Sequence, residues 1–184
     1  MSPLANGEAI YKAGKDLQQL SRLLCIGCSE GNTDMIDTLL SGRRINPNLK
    51  YNNLIEGQER ELFPLFAASL AGNEYAVKRL LRTKGINVNM INADGQTALH
   101  AAVINGKHPL IVEALITAGA NIALKDNWEL RPIDCVDHYD RTCDAKIKKI
   151  LSSATLVVNL KRMAFLLILG AFLMHLSKSF IVWQ

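Results

Sequence analysis

Apolar residues in this chain fall in short bursts at helical spacing, separated by breaks rich in Gly, Asn and Asp. The clearest burst lies in 92–121. Asp94-Gly95 reads as a turn, since Gly accepts positive φ and Asp bonds its own backbone. Thr97 then serves as a helix N-cap, its hydroxyl satisfying an orphan N–H of the first turn. The spacing predicts a helix over 98–105, stopped at Gly106 by a left-handed residue. A second helix is predicted over 109–117, with Leu110, Ile111, Ala114 and Leu115 at helical spacing and Pro109 in the first turn, where no N–H is needed. Neither helix is long enough to hold in water by itself. Ala101 and Ala102 keep the first one slim, so a neighbouring helix can approach closely. The pair buries its apolar sides only by stacking on similar pairs.

Similar pairs are present. Helices are predicted over 17–29 and 34–40, with Asp16 as N-cap, Gln19 as its capping-box partner and Gly31 between the two. A short leading helix fits 1–15, where Ala9, Ile10 and Ala13 share a face with Leu17. The polar, Asn-rich stretch 43–60 holds the turn signal Asn46-Pro47, and a long finger loop is expected within 48–59. A second pair occupies 63–89, with Val77, Leu80 and Leu81 on the core face of its second helix. A fourth occupies 125–152, its second helix starting from Asp144 with Ile147, Ile150 and Leu151 inward. Pro64, Ala98 and Pro132 recur at intervals of 34 residues, a phase that chance does not supply.

The third pair, headed by Thr97-Ala98-Leu99-His100 and closed by Ala118-Gly119-Ala120-Asn121, resembles the ankyrin repeat, with Ala98 where the family prefers Pro. One extra residue near Lys107-His108 departs from the pattern and should bulge the loop between the helices. Pro64-Leu65 matches the head of the second pair, but Phe63 and Phe66 replace Thr and His. Pro132-Ile133 is what the fourth keeps. The resemblance implies an all-α solenoid of about four helix-hairpin units, at about 16–48, 60–91, 92–124 and 125–152, with degenerate end units as caps. It also implies that His100 bonds backbone between units, and that Pro64, Leu65, Thr97, Leu99, Gly106 and Pro132 are structural.

The tail, 153–184, abandons this pattern. Lys161-Arg162 precedes an apolar run over 163–183 that would span about 31 Å as a helix, near a bilayer's hydrocarbon thickness. The basic flank and Trp183 at the far end fit a single span held with its N-terminal side in the cytoplasm. His175 and Lys178 oppose it, although Lys178 lies close enough to the end to snorkel. An interfacial helix and a helix packed on the repeats are the alternatives. No secretory signal is read in the N-terminal residues.

Net charge is +4, without a dense basic stripe interleaved with aromatics, so nucleic acid is not implied as a partner. Four cysteines at irregular spacing point to free thiols in a reducing compartment, the cytosol. Cys25-Ile-Gly-Cys28 lacks a βαβ context for redox work, and Cys135, His138 and Cys143 lie too far along the stack to complete a metal set with it. Asp134, Asp137, Asp140 and Asp144 lack the central Gly and closing Glu of a calcium loop. No phosphate-binding loop, nucleophile elbow or small-molecule site is legible. The expected function is therefore non-catalytic protein binding, with no cofactor and no metal, on a module tethered to a membrane through 163–183. A soluble stack with its tail folded back, or a Cys/His-dependent enzyme, are the other readings. Family resemblance places partner contacts on finger loops and on the concave inner-helix face. The candidates at the tips are Tyr51, Asn53, Ile55, Met90, Asn92, Ala93, Asn127 and Trp128, with Leu70, Ala71, Ile104 and Asn105 on the concave side.

Overall fold

The computed structural model describes residues 17–42, 45–55, 58–138 and 145–181. The leading helix expected in 1–15, the Asp16 cap, Asp140, Cys143, Asp144 and Trp183 lie outside the described residues.

Short polar side chains and prolines start the helices of the two middle units, and Asn32 does so within the first. In the first unit α1 (Leu17–Glu30) is followed by α2 (Thr33–Ser41), which opens where Asn32 Oδ1 accepts the Met35 N–H at 3.0 Å. In the second, α3 (Pro64–Ala71) leads to α4 (Glu74–Leu81), whose N-cap Asn73 accepts from Ala76 N at 3.1 Å. In the third, α5 (Ala98–Asn105) leads to α6 (Pro109–Thr117). Three residues, 106–108, join this last pair where two, 72–73, join the pair before it, and the added length sets the His108 ring over Gly72. Gly106 closes α5 at φ +70°, a conformation that a side chain disfavours.

The fourth unit is a shortened form of the helix pair expected over 125–152. Its inner helix is a single turn, α7 (Cys135–His138), and its outer helix is the beginning of α8 (Ala145–Ile181), which has 37 residues. Inner helices α1, α3, α5 and α7 stack in sequence, and outer helices α2, α4, α6 and α8 do the same behind them. Leu65 and Leu99 are fully buried and Ile133 of the last unit packs against the same hydrophobic core, so the three motif heads share one interior. Leu24, Ile36, Leu80, Ile111, Leu115, Ile147 and Leu151 fill the rest of it.

Two further expectations change. The stretch 48–59 is not a plain finger loop: β1 (Tyr51–Ile55) pairs antiparallel with β2 (Gln58–Leu62), from Tyr51↔Leu62 to Ile55↔Gln58. Leu62 is buried and Tyr51 half-buried, so the foot of the hairpin rests on the core. The basic linker expected at 153–162 is helix throughout, because no Gly or Pro interrupts the chain between Ala145 and Leu169. After Leu151 this helix leaves the stack. Leu156, Leu160, Phe165 and Leu167 are each more than half exposed, so within 156–169 the tail does not fold back on the repeats.

Adjacent units are also tied by asparagine. Asn48 Nδ2 donates to Gly85 O at 2.8 Å while its Oδ1 accepts Asn87 N at 2.8 Å; Asn89 repeats this with Gly119 O (3.2 Å) and Asn121 N (2.7 Å). Asn73 and Asn105 donate to Cys28 O and Leu70 O, joining helix ends across the same boundaries.

One position departs from its repeat. Glu129 has φ +61° and stands where the previous unit has Gly95 at φ +74°. A left-handed conformation costs a residue with Cβ about 1–2 kcal/mol, whereas its exposed ion pair with Lys125 contributes little. Glu129→Gly should therefore raise stability by about 1 kcal/mol in urea unfolding. Leu99→Ala should lower it by about 2–5 kcal/mol, because the cavity opens between two units.

Candidate interaction surface

A concave feature sits between the first two units. Ile26, Ser29 and Glu30 of α1, Tyr51 and Leu62 at the hairpin foot, and Ala67, Leu70 and Ala71 of α3 line a groove of about 360 Å³. The small side chains of Ala67 and Ala71 open it, and the hairpin forms its wall. Its lining is mostly apolar, with Glu30, Ser29 and the Tyr51 hydroxyl as polar points. Burial, with the nearby Cys25 thiol next, pushes the Tyr51 phenol up to about 12, so the hydroxyl stays a neutral hydrogen-bonding group. The α1 residues were missed by sequence reasoning. Ile26 and Glu30 stand four apart on one helix face, a signal that becomes useful only once α3 is known to lie alongside.

The finger tips divide by backbone direction. Ile91 pairs with Thr97 in an antiparallel bridge, so neighbours along 90–92 point to opposite sides. Ile91 is exposed, whereas Met90 packs on the core and Asn92 is buried. Asn92 Oδ1 accepts from Asp94 N (3.0 Å) and Gln96 N (2.8 Å), so it holds its own turn and is not available to a partner; Ile91 presents the side chain here instead. Tyr51 likewise lies at the foot of its finger, not at the tip, because its register partner is the buried Leu62. The backbones of Asn53 and Ile55 run in β1, opposite Arg60 and Gln58. Trp128 is 56% exposed. Asn127 beside it gives its Nδ2 to Ala93 O at 2.9 Å and its backbone N–H to Asp94 O at 3.0 Å, fixing the turn that carries Trp128. On the inner-helix side Leu70 and Ile104 are half-buried, and Asn105 spends its amide on Leu70 O at 2.8 Å.

The motif heads are stabilised in two ways. At Thr97, Oγ1 caps the His100 N–H (3.4 Å) and the Thr97 N–H donates to His100 Nδ1 (3.1 Å). That leaves the ring proton on Nε2, which donates to Leu130 O of the next unit at 3.1 Å. Burial lowers the His100 pKa, so the ring is held neutral. One unit earlier Phe63 and Phe66 replace this pair with a tilted ring contact at 5.6 Å and no side-chain cap. Beside His100 lie Asp126 and Cys135, both buried, with ligand-type atoms of all three within 4.8 Å of one another. Sequence reasoning missed this trio, because its members come from three different turns of the chain.

Cys25, Cys28 and Cys135 are free and buried. Burial raises the Cys25 thiol, with Cys28 adding to the effect, and pushes Cys28 up to about 12. Cys135 is pushed up to about 12 by burial, then by Asp126 and Asp134. A thiol reacts as its thiolate, so this arrangement opposes a Cys nucleophile in α1.

Comparison with known proteins bears on this surface. Residues 24–126 match the family described as ankyrin repeats, in three copies. The chain is 40% identical over 82 residues (44% of its length) to potassium channel KOR2 of Oryza sativa subsp. japonica. It is 41% identical over 71 residues (39%) to alpha-latrocrustotoxin-Lt1a of Latrodectus tredecimguttatus. With Rabankyrin-5 of Mus musculus it shares 32% identity over 99 residues (52%). The matched segments cover only 11%, 5% and 8% of those three relatives.

Thiol burial gives a direct check. In a Cys143→Ser background, labelling of the native protein at pH 8 should be at least roughly a hundredfold slower than in urea, because it waits on opening of the stack. Fast labelling of Cys25 or Cys28 in the folded chain would restore the nucleophile reading.

Proposed function

Because this chain belongs to the ankyrin-repeat family, we propose that it is a non-catalytic protein-binding module, presented at a membrane surface by its C-terminal helix. Ankyrin repeats generally mediate protein–protein interaction, and the apolar groove at the hairpin foot is the observation that carries this reading here. Its walls are held by buried packing and by inter-unit bonds, so little entropy is lost when a partner orders against them. Trp128 and Ile91 supply exposed apolar anchors at the far fingers; tryptophan is among the residue types that most often dominate interface energy.

The membrane part of the proposal rests on α8. Residues Ala145–Leu169 are long and apolar enough to cross a bilayer, and only 6% of the apolar window is buried. A core helix of a soluble protein passes the same length test by being mostly buried, and this one is not. Exposed side chains from Leu156 to Leu169 would otherwise present a large apolar surface to water. Lys161 and Arg162 sit within that helix and would mark the headgroup level, so that Leu156 to Leu160 lie in the interfacial zone, the span proper follows Arg162 and the repeats stay on the cytosolic side.

Fractionation tests both halves. The full-length chain should pellet with membranes and resist a carbonate wash, and removal of 160–184 should release a folded, soluble stack. A full-length chain that is monodisperse without detergent would end the membrane reading. Trp128→Ala and Leu70→Glu in the tail-deleted stack should each reduce capture of a partner identified with the parent protein, with circular dichroism unchanged.

A further inference from the structure

The boundary between the third and fourth units holds a group of side chains with more chemistry than stacking uses: His100 reaches Leu130 O across it, but a carboxylate oxygen and a thiol beside it have no such role. His100, Asp126 and Cys135 converge there, buried, with their donor atoms within 4.8 Å of one another. Asp126 Oδ1 is occupied, accepting from Trp128 N (3.0 Å) and Leu130 N (2.9 Å). Asp126 Oδ2 is buried with no hydrogen-bond partner. A carboxylate oxygen left so costs free energy that a nearby cation would recover.

The repeat itself supplies the control. One unit earlier, at spacing 34, the same three places are filled by Phe66, Asn92 and Ala101. Asn92 makes the same two turn bonds through its Oδ1 as Asp126 does. The fold therefore needs an acceptor at this place, but not a carboxylate, and it needs no imidazole or thiol at the other two. His100 is the motif residue that Phe66 lacks, whereas Asp126 and Cys135 differ from Asn92 and Ala101 at the same boundary, so only here do three residues able to bind a metal stand together.

We propose that His100 Nε2, Asp126 Oδ2 and Cys135 Sγ bind a divalent transition-metal ion of the zinc class, with Leu130 O as the fourth donor. Nitrogen, sulfur and carboxylate together suit zinc, which takes four ligands at about 2.0–2.3 Å. Donors around such an ion stand about 3.4–3.8 Å apart, so the trio closes by roughly 1 Å on loading. Leu130 O is already 3.1 Å from His100 Nε2. Binding sends the Cys135 proton to solvent and moves the imidazole proton from Nε2 to Nδ1. Thr97 Oγ1, 2.9 Å from Nδ1, is in place to accept it and fix that tautomer, while the Thr97 N–H gives up its bond to Nδ1. One proton is released per ion. The ion would join α5, the turn at 126–130 and α7, and so clamp the short last unit onto the stack.

Cobalt(II) titration of the tag-free full-length chain in detergent reads the site directly. The expected result is a thiolate-to-cobalt charge-transfer band that saturates at about one equivalent and is bleached by zinc. Cys135→Ala and Asp126→Asn install the residues that the previous unit carries, so both should fold. Cys135→Ala should abolish the band, Asp126→Asn should weaken binding by roughly tenfold or more, and zinc should raise the melting temperature of the parent but not of Cys135→Ala. No band in the folded parent, or a band that survives Cys135→Ala, overturns the assignment.

Discussion

Each helix hairpin in this chain leaves an apolar flank that only the next hairpin can cover. Helices of eight or nine residues such as α3–α6 gain too little from their own hydrogen bonds to persist in water. Their stability comes from Leu65, Leu99 and the alanines between them, all buried at the boundaries between units. The small residues are as necessary as the large ones. Ala67, Ala68, Ala101 and Ala102 keep the inner helices slim, so the layers close and the groove at the hairpin foot has its floor.

Stacking of this kind must also stop. Asn48 and Asn89 each reach forward to tie the next unit's turn, one donor and one acceptor apiece. The corresponding place in the third unit is Ala123, which has no side chain to reach with, and Asn121 Oδ1 bonds only the local Ala123 N–H. The outer row then ends with α8 against α6, Ile147 and Leu151 filling the last hydrophobic gap. That helix continues past the stack without a breaker, which joins the repeat surface to the apolar segment with no flexible link. The same bonding economy occupies several of the polar candidates: Asn92 and Asn127 in the fingers and Asn105 on the concave side are spent on backbone.

Polar chemistry enters the interior in a graded way along the stack. The second unit's head is apolar, through Phe63 and Phe66, whereas the third unit's head is a hydrogen-bonded Thr97–His100 pair reaching across to Leu130. Asp126 and Cys135 then accumulate at the last boundary, where the fourth unit has the least apolar surface of its own to hold it, its inner helix being one turn long.

The local signals were legible without coordinates. Gly, Pro, Thr and Asn act on their immediate backbone, so the turn at Asp94-Gly95, the cap at Thr97, the stop at Gly106 and the start at Pro109 followed from the text alone, as did the 34-residue phase and hence the common interior. What the text could not carry was pairing between segments far apart in the chain. The finger at 48–59 lacks the alternation that marks a strand, and only Leu62 settling on the core fixes the register that makes it a hairpin and draws Tyr51 inward. Orientation along 90–92 depends on the bridge from Ile91 to Thr97, which decides that Met90 and Asn92 turn in while Ile91 faces out. The groove needs α1 beside α3, and the trio His100, Asp126 and Cys135 needs three turns of chain brought within 4.8 Å. Propensity and capping are properties of neighbours in sequence, whereas burial, register and converging donors belong to neighbours in space.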